Sequence, residues 1–295
     1  MTILKVDNIA KDYGAIKALK GVSFSVNQGS VYGILGPNGS GKTTLLGIIM
    51  NVLKATSGSF QLFGEDAIDA HRKRIGTLLE TPNFYHYLDA IQNLKITCAI
   101  KGIGENDIEK VLHTVDLWKR KNSPFSTYSL GMKQRLAIGA ALLGNPDVLV
   151  FDEPTNGLDP VGISEIRNLI KDLSSQGKTI IMASHLLDEV EKVCTDVAIL
   201  KYGTLITAGN VNEIFRQNDI VQIASKNNTE ITKALQNLRG YTSVQELNGF
   251  VEITYNAGQA DLTAINKFCF DSGVVLSHIQ LKKSNLETKF LELTN

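Results

Sequence analysis

The sequence has no excess of either charge: thirty basic residues balance thirty acidic ones across 295 positions. A neutral balance gives no electrostatic reason to expect nucleic acid or anionic lipid as the main partner. Cysteine is scarce. Cys98, Cys194 and Cys269 are odd in number, far apart and outside any C-x-x-C pair. That spacing argues against a zinc site or a disulfide framework and for three reduced thiols. No apolar run approaches the roughly 18 residues needed to span a bilayer. The stretch Met1-Thr2-Ile3-Leu4-Lys5-Val6-Asp7 also lacks the charged-then-apolar profile of a secretory signal. Any membrane role therefore falls to another chain. Low-complexity tracts and internal repeats are missing too.

What is present is ordinary globular composition, 43% hydrophobic and 20% charged. The length suits one full-sized domain plus a smaller one. Val22, Phe24 and Val26 alternate with Ser23 and Ser25, the period of a half-buried strand. Val31-Tyr32-Gly33-Ile34-Leu35 is a continuous apolar run ending in a glycine-rich turn, and helical spacing follows from Leu45 to Leu53. Helical periods recur over Leu88–Ile100 and Asp107–Leu117, with Gly102 and Gly104 between them. Ser129 opens another helix that stops at Gly144-Asn145-Pro146. Val148–Phe151 and Thr179–Met182 read as buried strands and Ile163–Leu173 as a helix. Apolar strands alternating with amphipathic helices indicate a parallel sheet covered on both faces.

The pattern changes near residue 210. Beyond it the periodicity predicts strand 220–224, helix 229–238, strands 242–246 and 249–255, helix 259–271, strand 274–280 and a last helix 284–293. That order, β-α-β-β-α-β, describes a small α+β module.

Gly36-Pro37-Asn38-Gly39-Ser40-Gly41-Lys42-Thr43-Thr44 fits G-x-x-x-x-G-K-[ST]. Glycines let the backbone wrap a polyphosphate closely, and the following helix turns its N-terminus to the anion. Lys42 would reach the β- and γ-phosphates of ATP while the Thr43 hydroxyl ligates Mg²⁺. Downstream, Val148-Leu149-Val150-Phe151-Asp152-Glu153 places two acids at the end of a buried strand. Asp152 is placed to hold Mg²⁺, and Glu153 to orient or deprotonate the attacking water.

With these motifs the chain, over roughly residues 1–210, resembles the ATPase subunits of ABC transporters. Ser129-Leu130-Gly131-Met132-Lys133-Gln134-Arg135 is similar to the signature L-S-G-G-Q followed by Q-R. Ser129, Gly131 and Gln134-Arg135 match it, while Tyr128, Leu130 and Met132 depart from it. In the family this element meets the nucleotide of the opposite subunit. Tyr13 matches the aromatic that stacks on adenine, Gly157-Leu158-Asp159-Pro160 the loop crossing the dimer interface, and His185 the switch histidine. Glu80 stands where the family usually has a glutamine, and a carboxylate there can also ligate Mg²⁺. Together with Thr81-Pro82-Asn83-Phe84-Tyr85 it resembles the bacitracin-resistance and lantibiotic-immunity branch.

The resemblance implies an α/β fold of the P-loop ABC ATPase type over 1–210. It would comprise a mixed sheet flanked by helices, an antiparallel β subdomain and a helical subdomain carrying the signature. Residues 220–295 would form a small accessory domain. It further implies a head-to-tail dimer with itself or a homologous ATPase, working on a separate transmembrane permease. The chain would lie on the cytoplasmic face of the membrane through that permease, powering export of a peptide antibiotic or a similar amphiphile. One alternative is a non-transport ABC ATPase acting on ribosomal or nucleic-acid partners. Such proteins commonly carry tandem cassettes or a long coiled-coil insertion, and no heptad run separates Lys42 from Asp152. Another is a nucleotide-dependent regulator acting through residues 220–295, which show no catalytic constellation.

Overall fold

In the computed structural model, residues 1–79, 83–215, 218–236 and 238–282 are described. The chain divides into two units, one spanning Met1–Ile214 and one beginning at Phe215. Among the described residues no helix is long and apolar enough to cross a membrane.

The first unit is built on a six-stranded sheet. Its order is Thr204–Asn210, Asp196–Lys201, Val31–Leu35, Thr179–Ser184, Val148–Asp152, Ile75–Leu78. Every neighbouring pair is parallel except the first, which is antiparallel, so the sheet is mixed. Val31–Leu35, Val148–Asp152 and Thr179–Ser184 are buried along their whole length, as unbroken apolar runs require in a sheet covered on both faces.

A second, antiparallel sheet has the order Ile16–Asn27, Thr2–Tyr13, Ser57–Leu62, Glu65–Asp66. Val22, Phe24 and Val26 point inward from it while Ser23 and Ser25 face out. They join Leu4, Ile9, Ile34, Leu45, Leu46 and Val150 in one core, which also takes in the helix Lys42–Ile49. Each such buried side chain stabilises the unit by about 1.5–3 kcal/mol. The phosphate-loop helix is thereby fixed between the two sheets.

The helices Ala90–Lys101, Ile108–Thr114 and Leu130–Leu142 form a helical part of the same unit. The first begins at Ala90 rather than Leu88 because Asp89 and Gln92 cap it reciprocally, at 2.8 and 3.1 Å. It ends at Gly102, which takes the left-handed conformation. The last carbonyls of Leu130–Leu142 are met by the Lys101 ammonium, 2.8 Å from Ala140 O and 3.2 Å from Leu143 O. A cation there complements the helix dipole.

The second unit runs Asp219–Ser225, Asn228–Leu235, Ser243–Leu247, Phe250–Tyr255, Leu262–Asp271 and Leu276–Lys282, in the order strand, helix, strand, strand, helix, strand. Its sheet order places Ser243–Leu247 at one edge, then Phe250–Tyr255, Asp219–Ser225 and Leu276–Lys282. Val221, Ile223, Ile231, Leu235, Val251, Ile253, Ile265 and Cys269 form its core. The helix expected from 259 starts at Leu262, because the Asp261 carboxylate accepts from Thr263 N and Ala264 N. The helix expected at 284–293 lies outside the described residues. Cys98, Cys194 and Cys269 are free and buried.

Candidate nucleotide site

The strand Val31–Leu35 delivers the chain to Gly36, and the loop that follows hands it to the helix Lys42–Ile49. A Cβ on Gly36 would lie 2.4 Å from Leu200 O and 2.5 Å from Ser40 Oγ. Gly41, with φ +104°, begins the helix without a side-chain cap. The amides of the first turn are therefore left for an external anion. The Gly203 amide donates to Ser40 O at 3.0 Å, so the turn after Asp196–Lys201 backs the loop.

Lys42 is 5% exposed. Its ammonium donates to Gly36 O at 2.8 Å and Pro37 O at 3.2 Å, and lies 3.3 Å from Glu153 Oε1. The other Glu153 oxygen is 2.8 Å from His185 Nδ1. One carboxylate thus bridges the lysine and the histidine. Glu153 adopts φ +49°, uncommon for a residue with a side chain. Its amide donates to Ala183 O at 3.1 Å and its carbonyl accepts from Asn156 N at 3.1 Å, which hold the turn in that conformation. Strained backbone of this kind is a recurrent property of functional sites.

These groups face an open cleft of about 310 Å³ lined by Ala18, Asn38, Gly39, Gly41, Lys42, Thr43, Thr44, Glu153, Asn156 and His185. Thr43 is exposed at its floor, and Asp152 is buried at the end of the strand that delivers Glu153. A hydroxyl and a carboxylate are hard oxygen donors of the kind magnesium takes alongside phosphate and water. Among the described residues no group of three or more His, Cys, Asp or Glu could hold a metal ion without such help.

The remaining expected residues are placed differently. Tyr13 is half exposed in the Thr2–Tyr13/Ile16–Asn27 hairpin, with Lys11 Nζ 4.9 Å from its ring centroid. Ala18, on the same hairpin, lines the cleft. Ser129 caps the helix Leu130–Leu142 by accepting from Met132 N at 3.2 Å. A Cβ on Gly131 would meet only Leu158 Cδ2, at 3.9 Å. Asp159 caps the helix Pro160–Ser175 through Gly162 N at 2.9 Å. Ser129, Gly131 and Asp159 do not line the cleft that holds Lys42 and Glu153. Glu80 lies outside the described residues. Sequence reasoning missed Ala18 and Asn156. Asn156 follows Glu153-Pro154-Thr155 closely enough that a turn folding back over the strand end could have suggested it.

The family model described as ABC transporter matches residues 19–156. The bacitracin transport ATP-binding protein BcrA of Enterococcus faecalis is 34% identical, over 99% of this chain and 96% of its own. The lantibiotic transport ATP-binding protein SrtF of Streptococcus pyogenes is 37% identical, over 72% of this chain and 96% of its own. Among solved structures, the ATP-binding cassette MJ0796, a dimer in a post-hydrolysis state bound to ADP and Pi, superposes with a TM-score of 0.63. It is 27% identical and covers 71% of this chain and 99% of its own.

Proposed function

The chain belongs to the ABC transporter ATP-binding family, and on that basis we propose that it hydrolyses ATP in the cleft around Lys42 to drive export of a peptide antibiotic. As a family member it is an ATP-binding, ATP-hydrolysing transporter subunit. The cargo reading is supported by the relatives named for bacitracin and lantibiotic transport. A non-transport role on a ribosomal or nucleic-acid partner is not favoured.

The observation that carries the mechanism is the Glu153 bridge between Lys42 and His185. A triphosphate entering the glycine loop competes for the Lys42 ammonium and draws it away from Glu153. The freed carboxylate then orients and deprotonates the attacking water, with His185 holding its second oxygen in place. Tyr13 offers its half-exposed ring to the base. Thr43 and Asp152 would hold magnesium, which when bound offsets the phosphate charge. Glu80 is the further ligand expected from the sequence.

Two copies, or this chain and a homologue, would close head to tail, so that Ser129 and Gly131 of one complete the phosphate site of the other. The dimer of MJ0796 supports that arrangement. Asp159 would stand at the junction. The first unit is the nucleotide-binding domain and the second an accessory domain. A permease would dock at the groove of Asn83, Phe84, Tyr85, Asn93, Ile96, Thr97 and Ile100. Tyr85 and Ile100 are both largely exposed there. Through that permease the chain would sit at the cytoplasmic face of the membrane.

Glu153→Gln tests the mechanism. Equilibrium ATP binding should persist while phosphate release falls by about 10²–10⁴-fold. Normal turnover would remove Glu153 as the base.

A further inference from the structure

Outside the cleft, Glu189 is a buried carboxylate, only 3% exposed, and the mechanism above does not use it. Both its oxygens are taken by one guanidinium. Arg167 Nη2 donates to Oε1 at 2.6 Å and Nε to Oε2 at 3.3 Å. The two residues lie on different helices. Arg167 is on Pro160–Ser175, the helix capped by Asp159 at the end of the Gly157–Pro160 turn. Glu189 is on Leu187–Val193, which starts two residues after His185.

The short helix has no side-chain cap of its own. Upstream, Leu186 N donates to Ser184 Oγ at 3.0 Å. On its inner side, Val190 and Cys194 close on Gly33, where a Cβ would come within 3.0 Å of both. Gly33 belongs to the strand that feeds the phosphate loop. Leu187–Val193 is therefore pressed between that strand and Pro160–Ser175, with the ion pair fixing its second side. Seven residues of helix cannot hold their own orientation. His185 is therefore held from two sides, by the buried strand Thr179–Ser184 that ends just before it and by this helix two residues after it, which the Gly33 packing and the Arg167 fork keep in place.

We propose that Arg167 and Glu189 are positioning residues for ATP hydrolysis: their fork aims His185 Nδ1 at Glu153 and ties that aim to the Gly157–Pro160 turn. A half-buried pair such as this, with Arg167 partly exposed and Glu189 buried, is replaceable by apolar side chains of similar volume if it is kept only for stability. A pair kept for geometry is not, because a fork fixes direction as well as distance. The proposal rests on the reading of Glu153 and His185 as the reacting site.

The test uses the full chain with Glu189→Gln, Arg167→Lys and the double replacement Arg167→Met/Glu189→Met. In each, kcat should fall about ten- to hundredfold, the scale of a misplacement near 1 Å. The Kd for a fluorescent ATP analogue should stay within about twofold, since Lys42 and its loop are untouched. The apolar double variant should keep its melting temperature and still turn over slowly. In the His185→Ala background, Glu189→Gln should bring no further loss. Without nucleotide, the imidazole nitrogen resonances of His185, one of five histidines, should shift in Glu189→Gln. Wild-type turnover in the double variant, multiplying effects with His185→Ala, or unmoved His185 resonances would each overturn the proposal. Failure of the wild-type chain to bind ATP would instead strike the site reading, and the resonances would still decide whether the fork aims His185.

Discussion

A Cβ on Gly36 would lie 2.4 Å from the Leu200 carbonyl oxygen, whereas one on Gly39 meets nothing within 4 Å. The same substitution should therefore act differently along one loop. Gly39→Ala should cost folding only the strain of its left-handed backbone, about 1–2 kcal/mol, while ATP binding weakens but stays measurable because Gly39 lines the cleft. Gly36→Ala must push the loop off its backing strand, and calorimetric titration should find ATP binding lost. Gly41→Ala combines both problems, with φ +104° and a Cβ 2.7 Å from Leu19 Cδ2. In the second unit, Glu252 is buried in its sheet and takes hydrogen bonds from Lys282, Gln222 and Gln245. Burial alone would raise its pKa, but those bonds outweigh it and hold the carboxyl below its ordinary value of 4.5. A depressed carboxylate stabilises the fold fully above the unfolded value and loses that contribution as pH falls through the folded one. Glu252→Gln should cost about 1–3 kcal/mol at neutral pH. Its deficit against the parent chain should shrink below pH 4.5, as followed by denaturant unfolding across a pH series.

At the scale of elements, Ser129 is a helix cap before it is anything else. Ser129→Ala removes the acceptor of Met132 N and should lower stability by about 1 kcal/mol in thermal melts. Substitution by Asp, which can cap equally well, should restore the stability. The elements that could be read in the sequence were those with an unbroken period. The strand–loop–helix around Lys42, the strand ending at Asp152 and the order of the second unit all belong to that group. Thr2–Tyr13 could not be read that way, because its pairing with Ile16–Asn27 shifts register repeatedly and so breaks the alternation. Ser57–Leu62 is too exposed to carry a hydrophobic pattern. The candidate site was legible as a list: Lys42, Thr43, Asp152 and Glu153 were marked by type and spacing, and His185 by the family resemblance alone. What spacing could not convey is that one Glu153 carboxylate touches both Lys42 and His185. Nor could it show Arg167 meeting Glu189. These contacts join residues far apart in the chain, and only the sheet order brings them together.

For the whole molecule, the separation of Ser129 and Gly131 from the Lys42 cleft has a measurable counterpart. If a second subunit supplies them, ATP should convert the Glu153→Gln chain from monomer to dimer in light scattering. Gly131→Glu should prevent the conversion without abolishing nucleotide binding, since its new side chain would project from the first turn of Leu130–Leu142, away from the lining of the Lys42 cleft. Dimerisation unaffected by Gly131→Glu would place the contact elsewhere.

The Val31–Leu35 strand, which ends at the phosphate loop, is flanked by Thr179–Ser184 and Asp196–Lys201. Both neighbours lie late in the first unit, and the turn at Gly203 closes against Ser40 only after them. During synthesis the ribosome has released the loop long before either neighbour exists. A nascent chain stopped at residue 156, where the family match ends, holds the complete phosphate motif with both edges of its strand bare. Such a fragment should stick to itself through those edges rather than grip nucleotide.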